Sequence, residues 1–164
     1  MEVRPIAIGD AGLMLALNLA LDAESDFMLL EPGERPQSKI LQSEIISNAV
    51  AQNNVTWMIA QDRQELIGYC AVTASKQRRS RHVGSLVMGV RKPYWGRGVG
   101  ANLLAVVVDA ANCKGVRRIE LSVREDNLRG IALYKKFGFV EEGRRTKSLR
   151  IGDRLFDELY MARR

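Results

Sequence analysis

The chain has 164 residues, 46% hydrophobic and 27% charged, with a formal net charge of +6. This suits a folded domain with a buried core and excludes a disordered or fibrous chain. No apolar run approaches the ~18 residues of a membrane span. The opening MEVRPIAIGD does not read as a secretory leader, so a cytoplasmic protein without membrane attachment is expected. One histidine, His82, and two distant cysteines, Cys70 and Cys113, make neither a convincing zinc site nor a nucleophile–histidine pair, and no metal is expected.

Residues 2–6 read as a short strand. A helix over 10–22 carries Leu13, Leu17 and Leu21 at fourfold spacing. Pro32, Gly33 and Pro36 mark a loop, after which Ser38 caps a helix over 39–52, with Ile40, Ile45, Ile46 and Val50 as its apolar side. VTWMIA (55–60) and ELIGYCAVTA (65–74) form a hairpin, and HVGSLVMGV (82–90) is a further strand. A helix over 98–113 is apolar at Val99, Leu103, Val107 and Ala110. RRIELSV (117–123) alternates as a half-exposed strand. Asn127 caps a helix running to Phe137, Gly138 stops it, and two strands follow around a turn at Ile151–Gly152. The order β-α-α-β-β-β-α-β-α-β-β predicts one α/β (α+β) domain over 1–164. It is a mixed, mostly antiparallel sheet of about seven strands with about four helices.

The most informative stretch is VMGVRKPYWGRGVGANLL (87–104), in which a strand ends, Gly96, Gly98 and Gly100 alternate, and a helix begins. Glycines let backbone amides approach and converge on an anion, and the helix start adds positive potential. Arg97 adds a full charge beside them. Gly96-x-Gly98-x-x-Ala101 also matches the dinucleotide fingerprint formally, with Glu120 near the position of its ribose-binding acid. Against that reading, five residues (Arg91–Trp95) separate the strand from Gly96 and only one further helix follows. A glycine-rich turn with no ligand is the third reading.

Arg97-x-x-Gly100 resembles the acyl-CoA pyrophosphate motif of the GNAT N-acetyltransferase superfamily, Gln/Arg-x-x-Gly-x-Gly/Ala, with Asn102 departing at the last position. EDNLRGIALYKKFGFVEEG (125–143) resembles that family's next block through Asn127, Tyr134, Lys136, Gly138 and Phe139. The resemblance covers about residues 55–162. It implies acetyl-CoA as the acyl donor, its pyrophosphate on the amides of the turn formed by Gly96, Arg97, Gly98, Val99, Gly100 and Ala101. Its pantetheine would pair with Met88, Gly89 and Val90 as an added strand, with Asn127, Tyr134 and Lys136 as further contacts. Tyr134 is the implied catalytic residue, protonating the departing thiolate. A homodimer is expected only from the resemblance.

The implied reaction moves the acetyl group to a primary amine of a small molecule, an amino acid or a protein N-terminus. Deprotonating a lysine-type amine at pH 7 costs about 4.6 kcal/mol, an α-amine only about 1–1.4. The family's glutamate on the strand before the motif is replaced by Ser85, leaving Glu31, Glu44 and Glu120 as unranked candidate bases. A non-catalytic acyl-CoA-binding sensor is the alternative. A basic RNA-binding domain is a weaker one, because the runs KQRRSR and RRTKSLR contain no aromatic for stacking. The basic excess is therefore expected to serve the phosphates of the cofactor, not nucleic acid.

Overall fold

The computed structural model describes all 164 residues. Seven strands form one sheet in the order β1-β2-β3-β4-β5-β7-β6. They are β1 (Glu2–Pro5), β2 (Val55–Asp62), β3 (Glu65–Ala74), β4 (Val83–Val90), β5 (Arg118–Arg124), β6 (Val140–Ile151) and β7 (Arg154–Arg163). The helices are α1 (Ala11–Glu24), α2 (Lys39–Ala51), α3 (Val99–Cys113) and α4 (Leu128–Lys136). Every adjacent strand pair is antiparallel except β4 and β5. The mixed α/β sheet expected from the pattern is thus present, with four helices on its two faces.

Alternation along the strands divides the apolar residues between two cores. On one face α3 and α4 press Leu103, Leu104, Val107, Ile131 and Tyr134 onto Cys70, Val72, Leu86, Leu121 and Met161. On the other, α1 packs Met14, Leu17 and Leu21 onto Ile59, Leu66 and Tyr69, with Ile46 of α2 behind. α1 turns Leu13 to the surface and buries Met14 in its place. The expected apolar side of α2 is also corrected. Ile46 is fully buried, but Ile40, Ile45 and Val50 are exposed. α2 touches α1 through Gln42 and Ile46, one turn apart, and the buried Asn18 amide donates to Gln42 Oε1 at 3.3 Å. That polar contact rotates the helix away from its purely aliphatic side.

The feature that matters for function is the junction of β4 with β5. The two run parallel, but their pairing covers only Val83–Arg118, Gly84–Ile119 and Ser85–Glu120. Beyond it β5 stays with β7 while β4 stays with β3. The C-terminal half of β4 therefore borders a wedge-shaped opening in the middle of the sheet.

Candidate active site at the strand splay

Register fixes which backbone groups of β4 face the opening. Gly68 lies opposite Val90, and the Arg91 amide donates to Ile67 O at 2.9 Å. In an antiparallel ladder this makes Gly68–Val90 a non-hydrogen-bonded pair, so the amide and carbonyl of Val90 and of Met88 point away from β3, into the splay. Gly89 points the other way, toward Tyr69. What Gly89 supplies is space: a Cβ there would stand 2.7 Å from Leu21 Cδ1 and 3.1 Å from Tyr69 Cε1. Its absence lets α1 sit close against the strand.

After β4 a short 3-10 turn, Lys92–Tyr94, leads to the glycine loop. Gly96 and Gly98 have φ of +74° and +79°, a region open to glycine at little cost. Gly98 caps α3. The first amide of α3 to reach a carbonyl is that of Asn102, which donates to Gly98 O at 3.0 Å; the amides of residues 97–101 have no partner in the protein. Five unpartnered donors at a helix start beside Arg97 are a ready anion site. Gly100 closes the floor: a Cβ would lie 3.1 Å from Leu133 Cδ2 of α4 and 3.3 Å from Met88 Cε of β4. The loop, the strand edge and α4 therefore meet at one point, where a cluster of open amides lies beside an unpaired strand edge.

α4 starts at Asn127, whose side chain accepts from the Gly130 amide at 3.0 Å. Tyr134 is buried, its ring 5.7 Å from that of Phe139. Its hydroxyl makes no hydrogen bond within the protein, and desolvation raises its pKa above the usual phenol value. The same burial raises the Cys70 thiol across the core. Lys136 lies exposed in the last turn of α4, about 13 Å along the axis from the Asn127 end. Two residues at the loop carried no motif signal. The Trp95 indole donates to Val90 O at 2.7 Å, and the Arg129 guanidinium lies 5.2 Å over the Trp95 ring. Trp95 thereby uses one of the cleft-facing carbonyls and fixes the approach to the loop.

The candidate bases do not converge on this site. Glu120 is ion-paired to Arg118 at 3.2 Å, Glu31 lies in the exposed α1–α2 connection, and Glu44 lies exposed on α2. Ser85 is exposed at the narrow end of the splay, opposite Thr73 and beside Glu120. Glu24 is committed to Arg91 at 2.6 Å and to the Lys92 amide at 2.9 Å.

Across the opening, the α1–α2 connection is anchored by Arg124 at the end of β5. Its guanidinium donates to Asp26 O at 2.9 Å, pairs with both oxygens of Asp126, and stacks on Phe27 and Phe156 at 4.7 and 4.1 Å. Of the two basic runs, the second begins beside this end of β5, where Arg144 pairs with Glu125 and Asp157 at 2.6 and 3.0 Å, and the first lies elsewhere. Lys76–Arg81 occupies the turn before β4 and the glycine loop follows its end, about 25 Å away along an eight-residue strand. That run cannot reach a phosphate at the loop, so the expected explanation of the basic excess is corrected for it.

The model of the acetyltransferase (GNAT) family matches residues 20–139. An L-amino acid N-acetyltransferase of Escherichia coli (strain K12) is 35% identical over 101 residues, 60% of this chain and 62% of that protein; the chain thus spans under two thirds of this relative's length. A GNAT-family acetyltransferase structure from Streptococcus pneumoniae superposes with a TM-score of 0.93 at 26% identity, covering 99% of this chain and 97% of that one. A putative acetyltransferase of Salmonella typhimurium, solved with its cofactor acetyl-CoA, gives a TM-score of 0.85 at 14% identity over 98% and 91% of the two chains. With the splayed sheet and the open-amide loop, these matches show that the chain belongs to the GNAT family of acetyl-CoA-dependent acyltransferases.

Proposed function

We propose that residues 1–164 act as one N-acetyltransferase domain that transfers the acetyl group of acetyl-CoA to the α-amine of an amino acid or a protein N-terminus. The observation that carries the donor is the row of unpartnered amides at 97–101, continuous with the free edge of Met88 and Val90. The loop amides and Arg97 hold the pyrophosphate. The Met88 and Val90 amides pair with the pantetheine arm and supply a donor for the carbonyl oxygen as charge develops on it. Asn127, whose side-chain oxygen caps α4, would contribute its remaining amide group to the same ligand. Tyr134 gives its hydroxyl proton to the sulfur as the thioester bond breaks.

The acceptor class follows from the carboxylates. Glu24 and Glu65, the acids that meet the end of β4, are both paired with Arg91, so neither is free to strip a lysine ammonium. The α-amine of a peptide or protein N-terminus, of pKa 7.7–8.0, is partly neutral at pH 7 and needs only a water to take its second proton; the α-amine of a free amino acid is more basic than this but still less so than a lysine side chain. The activity that the E. coli relative's name describes, on L-amino acids, agrees. We place the reaction in the cytoplasm; both cysteines are free, and no helix is long and apolar enough to cross a membrane.

The test is thiol release from acetyl-CoA against free amino acids, peptides with free N-termini, Nε-only lysine derivatives and polyamines. Turnover with the first two classes and little with the others is expected. Preference for Nε-amines would overturn the acceptor class, and binding of acetyl-CoA without turnover on any amine would make the chain a sensor. Sedimentation of the same sample tests the homodimer.

A further inference from the structure

The positive charge of this protein sits at one end of it. Four segments meet where β4 and β5 begin: the β3–β4 turn (75–83), the α3–β5 connection (109–120), the α4–β6 turn (135–142) and residues 163–164. His82 O accepts from the Arg117 and Arg118 amides at 2.7 and 3.0 Å, and Gly138 lies against Arg163. Together they hold eleven lysines and arginines against four acids, a surplus of seven. The remaining fourteen basic and fifteen acidic residues nearly cancel. This one end therefore carries more than the whole net charge of +6.

Few of these charges are spent internally. Arg118 pairs with Glu120 and Glu142, and Arg164 reaches Glu142 at 3.8 Å. Lys76, Arg78, Arg79, Arg81, Lys135 and Lys136 are exposed and none makes an ion pair. The turn that carries the first four is held in one shape by bonds from the Ser75 amide to Val83 O, from the Ser80 amide to Gln77 O and from the Val83 amide to Ser80 O. Nor does the active site use them, since the glycine loop lies at the far end of β4.

We propose that this end of the molecule docks double-helical RNA through its phosphates. A protein partner would call for aromatic or apolar anchors at the centre of the contact. Of the large exposed hydrophobics only Val140 falls in these segments. An anionic membrane would likewise want an apolar edge to insert. A single strand would want a row of stacking rings, and these segments offer only the exposed His82 and the half-buried Phe137. What remains is a fixed array of cations about 20 Å wide across five strand positions. Gln77 and Asn112, both exposed between the charges, carry amide donors of the kind that hydrogen-bond ribose hydroxyls in an A-form minor groove, the Gln77 Oε1 itself accepting from Ser75 Oγ at 2.7 Å. Docking here would hold the enzyme on an RNA-bearing assembly with the donor site turned outward.

The test is fluorescence anisotropy of a labelled 20-base-pair RNA duplex with the full chain, between 50 and 200 mM KCl and without acetyl-CoA. Its outcome is thus independent of the acetyltransferase reading. Binding should be insensitive to sequence and steeply salt-dependent. R78E/R79E/R81E should weaken it more than tenfold and flatten the log–log salt slope by about three, at roughly 0.9 per lost phosphate contact. K39E/R63E/R150E makes the same change of net charge at exposed, unpaired sites elsewhere and should alter affinity by less than threefold. Equal effects of the two triples would reduce the binding to bulk charge and overturn the proposal. So would no binding at 50 mM salt, tighter binding to a DNA duplex, to an acidic peptide or to phosphatidylserine vesicles, or loss of affinity in a triple variant that no longer folds by circular dichroism together with unchanged binding by R78Q/R79Q.

Discussion

Tyr134 carries the proton step of the proposed reaction, and its surroundings set the terms. Burial favours the neutral phenol, so it stays protonated well past its usual range near pH 10. The same low-polarity surroundings raise a thiol, as Cys70 shows, which keeps the phenol and a departing thiolate comparable in basicity. Tyr134→Phe should lower kcat by about 10²–10⁴-fold and leave acetyl-CoA affinity within a few-fold by calorimetry. Unchanged kcat would make the ring core filler, the reading its contact with Phe139 also allows. Because the folded state holds the proton more tightly, the Tyr134 contribution to stability is full below pH ~10 and fades above it; the variant should flatten that alkaline limb in thermal melts. Gly100→Asp places a carboxylate among the five open amides and crowds Leu133 and Met88. Acetyl-CoA binding should drop by at least about tenfold, the effect of some 1.4 kcal/mol, with the circular dichroism spectrum retained. Both positions are legible in the sequence, because glycine spacing and a capped amphipathic helix are local signals. Trp95 and Arg129 are not, since their contact joins two segments that only the tertiary fold brings together.

Among the elements, β4 makes the sharpest statement. Its amides alternate between a paired and an open fate, so hydrogen exchange should be fast at Met88 and Val90 and slow at Gly89 in the free protein. Saturating acetyl-CoA should slow Met88, Val90 and residues 97–101 while leaving Gly89 unchanged. Uniform protection along β4 would refute the register argument. The α1–α2 connection makes a second statement through Arg124, a positioning residue. Arg124→Lys keeps a charge near Asp126 but loses the fork to Asp26 O and the stacking on Phe27 and Phe156. It should cost about 1–3 kcal/mol of stability and raise the acceptor KM several-fold at unchanged acetyl-CoA affinity. A matching rise in both constants would assign Arg124 to stability alone. Arg124 also holds the Asp126 carboxyl below its usual value, as Arg4 does for Asp10. A lowered acid stabilises the fold above pH ~4 and loses that contribution as pH falls through its folded value, so Asp10→Asn should flatten the acid limb of urea unfolding. The helices show where sequence runs out. α3 buries Val99, Leu103 and Val107 as its spacing demands, whereas α2 follows the buried Gln42 and leaves four aliphatics, Ile40, Leu41, Ile45 and Val50, in water, a choice set by α1 and invisible in α2's own pattern.

At the scale of the whole molecule, the chain joins two sub-sheets, β1-β2-β3-β4 and β5-β7-β6, by three residue pairs. A sequence shows strands but not where a parallel pair gives up, because that depends on which neighbour each strand keeps. The consequence is mechanical. The free protein is an arch without its keystone, and in the proposed complex the donor would complete it, touching β4 on one limb and α4 on the other. Any ligand that binds only the folded state adds RT ln(1 + [L]/Kd), about 2.7 kcal/mol at a hundredfold excess over Kd. For a chain of this length that corresponds to a rise in Tm of about 5–10 °C. Here the gain should be cooperative between the limbs: with acetyl-CoA bound, the two sub-sheets should melt together, and a disulfide bridging the open ends of β4 and β5 should raise the midpoint of the free protein yet make it deaf to the donor.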